Sequence, residues 1–321
     1  MASLVAKVSY GKLTINGKQV LNLNAVSSFV YRVFRFLIIV GISYVILFPL
    51  IVKFSSSIMT RTDIWDTSVV IIPKYPSMNN YRLAYRFMNF PVAFFNSLKL
   101  TLGVSVFQLI SCTIVAYGFA RFKFFGRGLW FSLVIFSLII PPEMILIPLY
   151  LNFRFFDLWG ILPDGGLNLL GTNWPFLLPA MTAAGFKNGL YIYIMRQIFK
   201  GMPKELEEAA YVDGAGPFRT FFTVMLPGAL HGLVIVFLFS FVWQWNDFSL
   251  TSFYLPDAEV LPIALSNLAR NVLGDQYLHA PVEGSLVNNA GSFMIIFPIL
   301  VVYAFLQRYF VESVERTGLT G

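Results

Sequence analysis

Residues 94–118 read FFNSLKLTLGVSVFQLISCTIVAYG, 25 residues whose only charge is Lys99. A helix rises about 1.5 Å per residue, so about 20 mostly apolar residues cross a hydrocarbon layer about 30 Å thick. This stretch meets that length. Working outward, five more runs of the same kind appear at 34–56, 130–151, 174–195, 229–250 and 286–310. The expectation is an all-α integral membrane protein with six transmembrane helices. Run 34–56 reads as a retained anchor and not as a signal peptide, because no small-residue cleavage site closes it at Lys53-Phe54-Ser55. Run 130–151 is the least regular, since Pro141-Pro142-Glu143 removes amide donors and must kink or break the helix. Composition agrees. Of 321 residues 57% are apolar and 12% charged, with a mean hydropathy of +0.70, whereas soluble domains carry about 25% charged residues. The single cysteine, Cys112, and two distant histidines, His231 and His279, exclude a disulfide scaffold and argue against a zinc centre.

The net charge of +7 is distributed as a membrane protein would distribute it. With the N-terminus inside, 14 of the 23 Lys and Arg residues fall on the inner side, including Arg121, Lys123, Arg127, Arg196, Lys200, Lys204 and Arg219. Both termini are therefore expected in the cytoplasm, and the basic excess needs no nucleic acid. Segments 59–91 and 251–284 are expected outside, the first as an ordered lobe. Residues 1–33 form an N-terminal cytoplasmic segment, 34–310 the transmembrane domain with a cytoplasmic loop at 199–227, and 311–321 a C-terminal tail. There is no convincing internal repeat to support a two-halved carrier.

The loop at 199–227 carries the most information. It contains Met202-Pro203-Lys204-Glu205-Leu206-Glu207-Glu208-Ala209-Ala210-Tyr211-Val212-Asp213-Gly214-Ala215-Gly216-Pro217. Proline suits a first helical turn, Glu205, Glu207 and Glu208 suit the positive end of the dipole, and Gly214 can adopt a left-handed conformation after the last turn. Leu206, Ala210 and Asp213 fall on one stripe, and small Ala209 and Ala210 would let a partner approach the backbone. A second helix, 218–225, is expected to end at Leu226-Pro227. The pair reads as a helix-turn-helix for docking.

Glu208-Ala209-Ala210, three residues, Gly214, nine residues, then Val224-Met225-Leu226-Pro227 resembles the EAA loop of ABC importer permeases. The usual ending is Ile-x-Leu-Pro, from which only Val224 departs. Pro203-Lys204-Glu205-Leu206, Asp213-Gly214-Ala215, Asn96-Ser97, Ile147-Pro148-Leu149-Tyr150 and Trp245-Asn246-Asp247-Phe248 are similar to the carbohydrate-uptake branch, of which the maltose permeases are an example. The likeness runs over 34–310 and implies a type I ABC importer permease in the cell membrane of a bacterium or archaeon. It implies a second homologous permease, two copies of a cytoplasmic ATPase and an extracellular solute-binding protein as partners. ATPase coupling would fall to Glu205, Glu208, Ala209, Ala210, Asp213, Gly214, Leu226 and Pro227. The chain has no G-x-x-x-x-G-K-[ST] loop, so no cofactor is expected on it, and ATP and Mg belong to the ATPase partner.

Candidates for a solute pathway or gate are the intramembrane charges Glu143 and Lys187, together with Trp245, Asn246 and Asp247 near the outer interface. The bland readings are snorkelling for the charges and an interfacial belt for the Trp245 group. A secondary, ion-coupled carrier is the alternative of a different class, but Glu143 is its only deep carboxylate. No nucleophile and base pair or metal-ligand cluster for an intramembrane enzyme is visible in the sequence.

Overall fold

The computed structural model describes residues 6–9, 12–15, 18–157 and 166–318. The chain forms two compact units, Met1–Ser77 and Met78–Gly321. The first begins with an antiparallel meander of β1 (Ala6–Ser9), β2 (Lys12–Ile15) and β3 (Lys18–Asn22) in the order β1-β2-β3. These strands lie within residues 1–33, for which the sequence set no fold, and every named element from residue 23 on is helical, as expected of an all-α membrane protein. The sequence carried the signal: Asn16-Gly17 between β2 and β3 is the dipeptide that favours a two-residue hairpin turn. The long helix α1 (Leu23–Ser57) follows, then the short α2 (Arg61–Trp65), where the Thr60 hydroxyl accepts from the Asp63 amide at 3.3 Å. The Asp63 carboxylate accepts from the Tyr75 amide at 3.1 Å, and Lys74 pairs with Asp66 at 2.5 Å.

The second unit contains α3 (Asn79–Phe87), α4 (Phe90–Arg121), α5 (Arg127–Phe136), α6 (Pro142–Arg154), α7 (Trp174–Met181) and α8 (Asn188–Gly201). After these come α9 (Glu205–Val212), α10 (Pro217–Thr220), a π-helical turn (Phe221–Met225), α11 (Leu226–Gly228), α12 (Leu230–Trp245), α13 (Ser249–Tyr254), α14 (Leu261–Leu273) and α15 (Pro281–Gly318). Helix α4 is central and packs along α7, α8 and α12. One core cluster joins Cys112, Ala116 and Tyr117 of α4 to Tyr191, Met195 and Phe199 of α8 and to Phe221 and Met225. Another packs α3 and α4 on α12, α14 and α15 through Met88, Ala93, Trp245, Leu268 and Ala290.

Among the described residues, three helical stretches are long and apolar enough to cross a membrane alone: Ser27–Ser57, Phe90–Arg121 and Pro281–Gln307. A fourth exists if Pro217–Gly228 and Leu230–Trp245, bent by 76°, count as one span. The remaining runs are interrupted. In 130–151 the helix stops at Phe136 and resumes at Pro142 after an extended Pro141 with ψ 132°, the break that the prolines require. Run 174–195, expected as one helix, breaks between Met181 and Asn188, where Ala183 and Lys187 have φ of +56° and +67°. The amides of Ala184 and Gly185 both donate to the Pro179 carbonyl, at 3.0 and 3.1 Å. Buried Asn188 fixes this break: its Nδ2 donates to the same carbonyl at 3.3 Å, and its Oδ1 accepts from Gln108 Nε2 at 2.7 Å. Run 229–250 stops at Trp245, and Asp247 starts α13 by accepting from the Thr251 amide and hydroxyl at 2.9 and 3.0 Å.

Candidate functional site

Helix α9 ends as its sequence predicts. The Ala215 amide donates to the Ala210 carbonyl at 2.9 Å and the Gly214 amide to the Tyr211 carbonyl at 3.0 Å, with Gly214 at φ +80°. These are the two bonds of a Schellman motif, which needs a left-handed residue at the position Gly214 occupies. Its first turn carries Glu205, Glu207 and Glu208. The expected stripe of Leu206, Ala210 and Asp213 does not face one way, however. Glu207 and Ala210, three residues apart, turn inward, while Glu205, Leu206, Glu208, Ala209 and Asp213 are exposed. Ala210 is therefore a packing residue against the bundle, and Ala209 alone of the alanine pair presents itself outward. The reason is chemical: Glu207 has partners in the bundle that Leu206 lacks.

Those partners were not anticipated. Glu207 Oε1 accepts from the Tyr117 hydroxyl at 2.8 Å, and Oε2 lies 3.5 Å from Arg121 Nη1. Arg121 Nη2 also donates to the Met202 carbonyl at 2.7 Å, tying the last turn of α4 to both ends of the segment that launches α9. The Tyr117 ring packs on Phe221 and Phe199 with centroids 4.8 and 5.4 Å away. The loop is thus seated on α4 and α8 by one buried ion pair and an aromatic cluster. Tyr117 and Arg121 sit four residues apart at the end of an apolar run, and that spacing was the available signal.

The expectation that Leu226-Pro227 ends the second helix is also corrected. Helix α10 passes through the π turn into α11, with the Leu226 amide donating back to the Phe221 carbonyl, and the chain turns only after Gly228. Pro227 follows directly on the π turn, where the helix's regular hydrogen-bond ladder is already interrupted and its missing amide is accommodated. On the outward side Val212 and Phe218 are 88% and 83% exposed, with Leu206, Tyr211 and Phe222 also exposed. This is a rim of apolar groups beside the acidic Glu205, Glu208 and Asp213.

The pathway candidates are not gathered in one place. The side chain of Glu143 lies outside the described residues. Trp245 is 1% exposed, packs on Phe94 and Phe241, and donates from Nε1 to the Ile295 carbonyl at 3.2 Å. Asn246 is exposed and donates to the Val242 carbonyl at 2.8 Å, while Asp247 caps α13. Lys187 is exposed, with its ammonium 3.9 Å from the centre of the Trp243 ring, a residue not singled out from the sequence. Asn96 and Ser97 hold the segment that enters α14: Asn96 donates to the Glu259 carbonyl at 3.0 Å and Ser97 accepts from the Leu261 amide at 2.8 Å. A buried polar chain of Ser240, Gln108 and Asn188 joins α12, α4 and α8, with Ser240 donating to Gln108 Oε1.

Residues 109–316, from the middle of α4 through α15, match the family described as the binding-protein-dependent transport system inner membrane component. The galactooligosaccharides transport system permease protein of Bacillus subtilis is 27% identical over 301 residues, 92% of this chain and 98% of that protein. The osmoprotective compounds uptake permease protein of Synechocystis sp. is 32% identical over 285 residues, covering 86% of this chain and 88% of that one. In fold, the chain is similar to one in the crystal structure of a bacterial ABC transporter involved in the import of the acidic polysaccharide alginate. The TM-score is 0.69 at 23% identity, covering 88% of this chain and 98% of that one. The matched residues include the whole of the loop that carries α9, and they set aside the ion-coupled carrier. The chain belongs to the family of binding-protein-dependent transport system inner membrane components and is a permease subunit of an ABC importer.

Proposed function

We propose that this permease imports a sugar or oligosaccharide and that α9 is the mechanical link to a cytoplasmic ATPase. The observation that carries the link is the mounting of α9: buried Glu207 locked to Tyr117 and Arg121 on one side, an apolar and acidic rim on the other. A helix so held cannot tilt without dragging α4 and α8, so closure of an ATPase dimer around the rim would rock the bundle. Glu205, Glu208, Ala209 and Asp213 face the ATPase groove in this reading, Gly214 aims the helix, and Ala210, Leu226 and Pro227 shape its seat. The substrate class is supported by relatives whose names specify galactooligosaccharides and arabinooligosaccharides.

The wider arrangement follows from the same reading. Residues 34–310 make six spans with both termini in the cytoplasm, three of the spans being helices broken by the interruptions described above. The chain pairs with a second homologous permease, two ATPase subunits that bind ATP and Mg, and an extracellular solute-binding protein, in the cell membrane of a bacterium or archaeon. It holds no cofactor and binds no nucleic acid.

Reconstitution of the complete importer tests the link. Gly214→Val has open space for its side chain but must hold a branched residue at φ +80°, a strain on the order of 1–2 kcal/mol. Glu208→Lys reverses a charge on the rim. Both variants should assemble in the membrane and lose uptake. Near-normal sugar uptake by both at normal expression would sink the coupling role.

A further inference from the structure

We infer that the inner ends of α5 and α8 form a binding site for an anionic phospholipid, its phosphate held by Arg196. The choice of leaflet rests on the reading above, in which α9 and the end of α8 that leads to it lie in the cytoplasm. The site is on a different side of α8 from the break that precedes it. Lys187 and Tyr191 meet Trp243 of α12, whereas Tyr193 and Arg196 meet Phe131 of α5.

Arg196 points to the ligand. Its guanidinium carbon lies 3.9 Å from the centre of the Phe131 ring. That ring is itself held, stacked on Tyr193 at 6.5 Å and 21° and edge-on to Phe119 at 5.7 Å. The Nε of Arg196 is buried and has no hydrogen-bond partner among the described residues. A buried donor without an acceptor is costly, and an oxygen of a phosphate would satisfy it. A guanidinium held over a ring keeps its N–H fork ordered, and such a fork matches two phosphate oxygens. More positive charge surrounds it. Lys200 stands one turn further along α8, Arg127 one turn before Phe131 on α5, and Lys123 just before α5. No acidic residue occurs in 67–142 or 165–204, the stretches that supply all four cations. Among the described residues none of the four pairs with a carboxylate, and Glu207 of the adjoining α9 is already taken by Tyr117 and Arg121.

The surface next to this cluster suits a lipid and not a soluble phosphate. Arg196 lies five residues, about 8 Å, from the end of α8, and Arg127 opens α5, so both stand at headgroup depth. Further along α5, Leu129, Trp130, Leu133 and Phe136 are between 49% and 66% exposed, an apolar face on which acyl chains can lie. Trp130 falls at the level where indoles collect. Four cations with no acid among them favour a net negative headgroup over a zwitterionic one, by about fivefold for each charge near the surface.

The test is native mass spectrometry of the complete importer in detergent, titrated with equal amounts of phosphatidylglycerol and phosphatidylcholine of the same chain lengths. Wild type should retain phosphatidylglycerol at least about tenfold better. Arg196→Gln and Lys200→Gln should each lower that retention about fivefold, and Arg196→Lys less than Arg196→Gln, with the ATPase still bound and the melting midpoint unchanged. Excess glycerol phosphate should not displace the lipid. Equal retention of the two lipids by wild type, or retention of phosphatidylglycerol unchanged in the Arg196→Gln and Lys200→Gln double variant, would overturn the site. Displacement by glycerol phosphate would overturn the lipid in favour of a soluble phosphate. The assay needs neither sugar uptake nor a defined orientation, so its failure leaves the importer reading intact. Labelling of a cysteine at Lys204 from outside intact cells would overturn the choice of leaflet and not the site.

Discussion

Breaking the Arg121 and Glu207 pair should release α9 from the bundle. The charged groups lie 3.5 Å apart with side chains only 7% and 12% exposed. At an effective dielectric of 20 their attraction is about 5 kcal/mol, offset by the desolvation of both ions. Removing one partner is costlier than removing both, because the survivor is left buried without a counter-charge, typically at about 3–5 kcal/mol. Arg121→Met should therefore weaken the closed loop by about 3 kcal/mol, and a tenfold change corresponds to about 1.4 kcal/mol, which makes the effect roughly 150-fold. Amide exchange reads this locally. The Glu208 amide donates to the Lys204 carbonyl at 3.1 Å and the Asp213 amide to Ala209 at 3.0 Å, so both report on the opening of α9. Glu207→Gln should lose less, since Tyr117 can still donate to its amide oxygen. Combined with Arg121→Met it should cost less than the sum of the singles by about 2 kcal/mol, because the unpaired charge is gone. Strict additivity in that cycle, or unchanged exchange in Arg121→Met, would refute the view that this pair seats the loop.

Three other outcomes follow from the same geometry. Single cysteines in place of Asp275 and Lys204, in a background lacking Cys112, should react with an impermeant thiol reagent in intact cells only at the first position; labelling at the second inverts the proposed topology. Gly189→Ala would put a methyl 2.8 Å from the Val134 carbonyl and the Ser137 hydroxyl, forcing α5 from α8, so thermal stability in detergent should fall by about 1–3 kcal/mol; an unchanged midpoint contradicts this close approach. Ser97→Ala leaves the buried Leu261 amide without its acceptor, a cost of about 1–3 kcal/mol, and should speed exchange of that amide at least about tenfold, while equal exchange would show another acceptor.

The sequence alone determined that this is a membrane protein, where its apolar segments lie, and which loop emerges from them. Those properties are local: hydrophobic run length, proline at 141 and 142, and the glycine at 214 that only a left-handed cap would require. The residue types that end α9 dictate its Schellman cap without reference to anything distant.

Tertiary structure decided what depends on partners remote in sequence. Nothing near Glu207 announces that it, and not Leu206, turns inward; Tyr117, 90 residues away, supplies the hydrogen bond that chooses the face. Helical propensity in Ala183-Ala184 argues for a continuous fourth span, but Asn188 captured by Gln108 and Pro179 satisfies polar groups that a straight helix would leave wanting. Trp245 resembles an interfacial anchor by composition and lies instead inside the bundle, because Phe94, Phe241 and the Ile295 carbonyl enclose it. In each case the sequence fixes which groups need a partner, and only the packed chain brings that partner within reach.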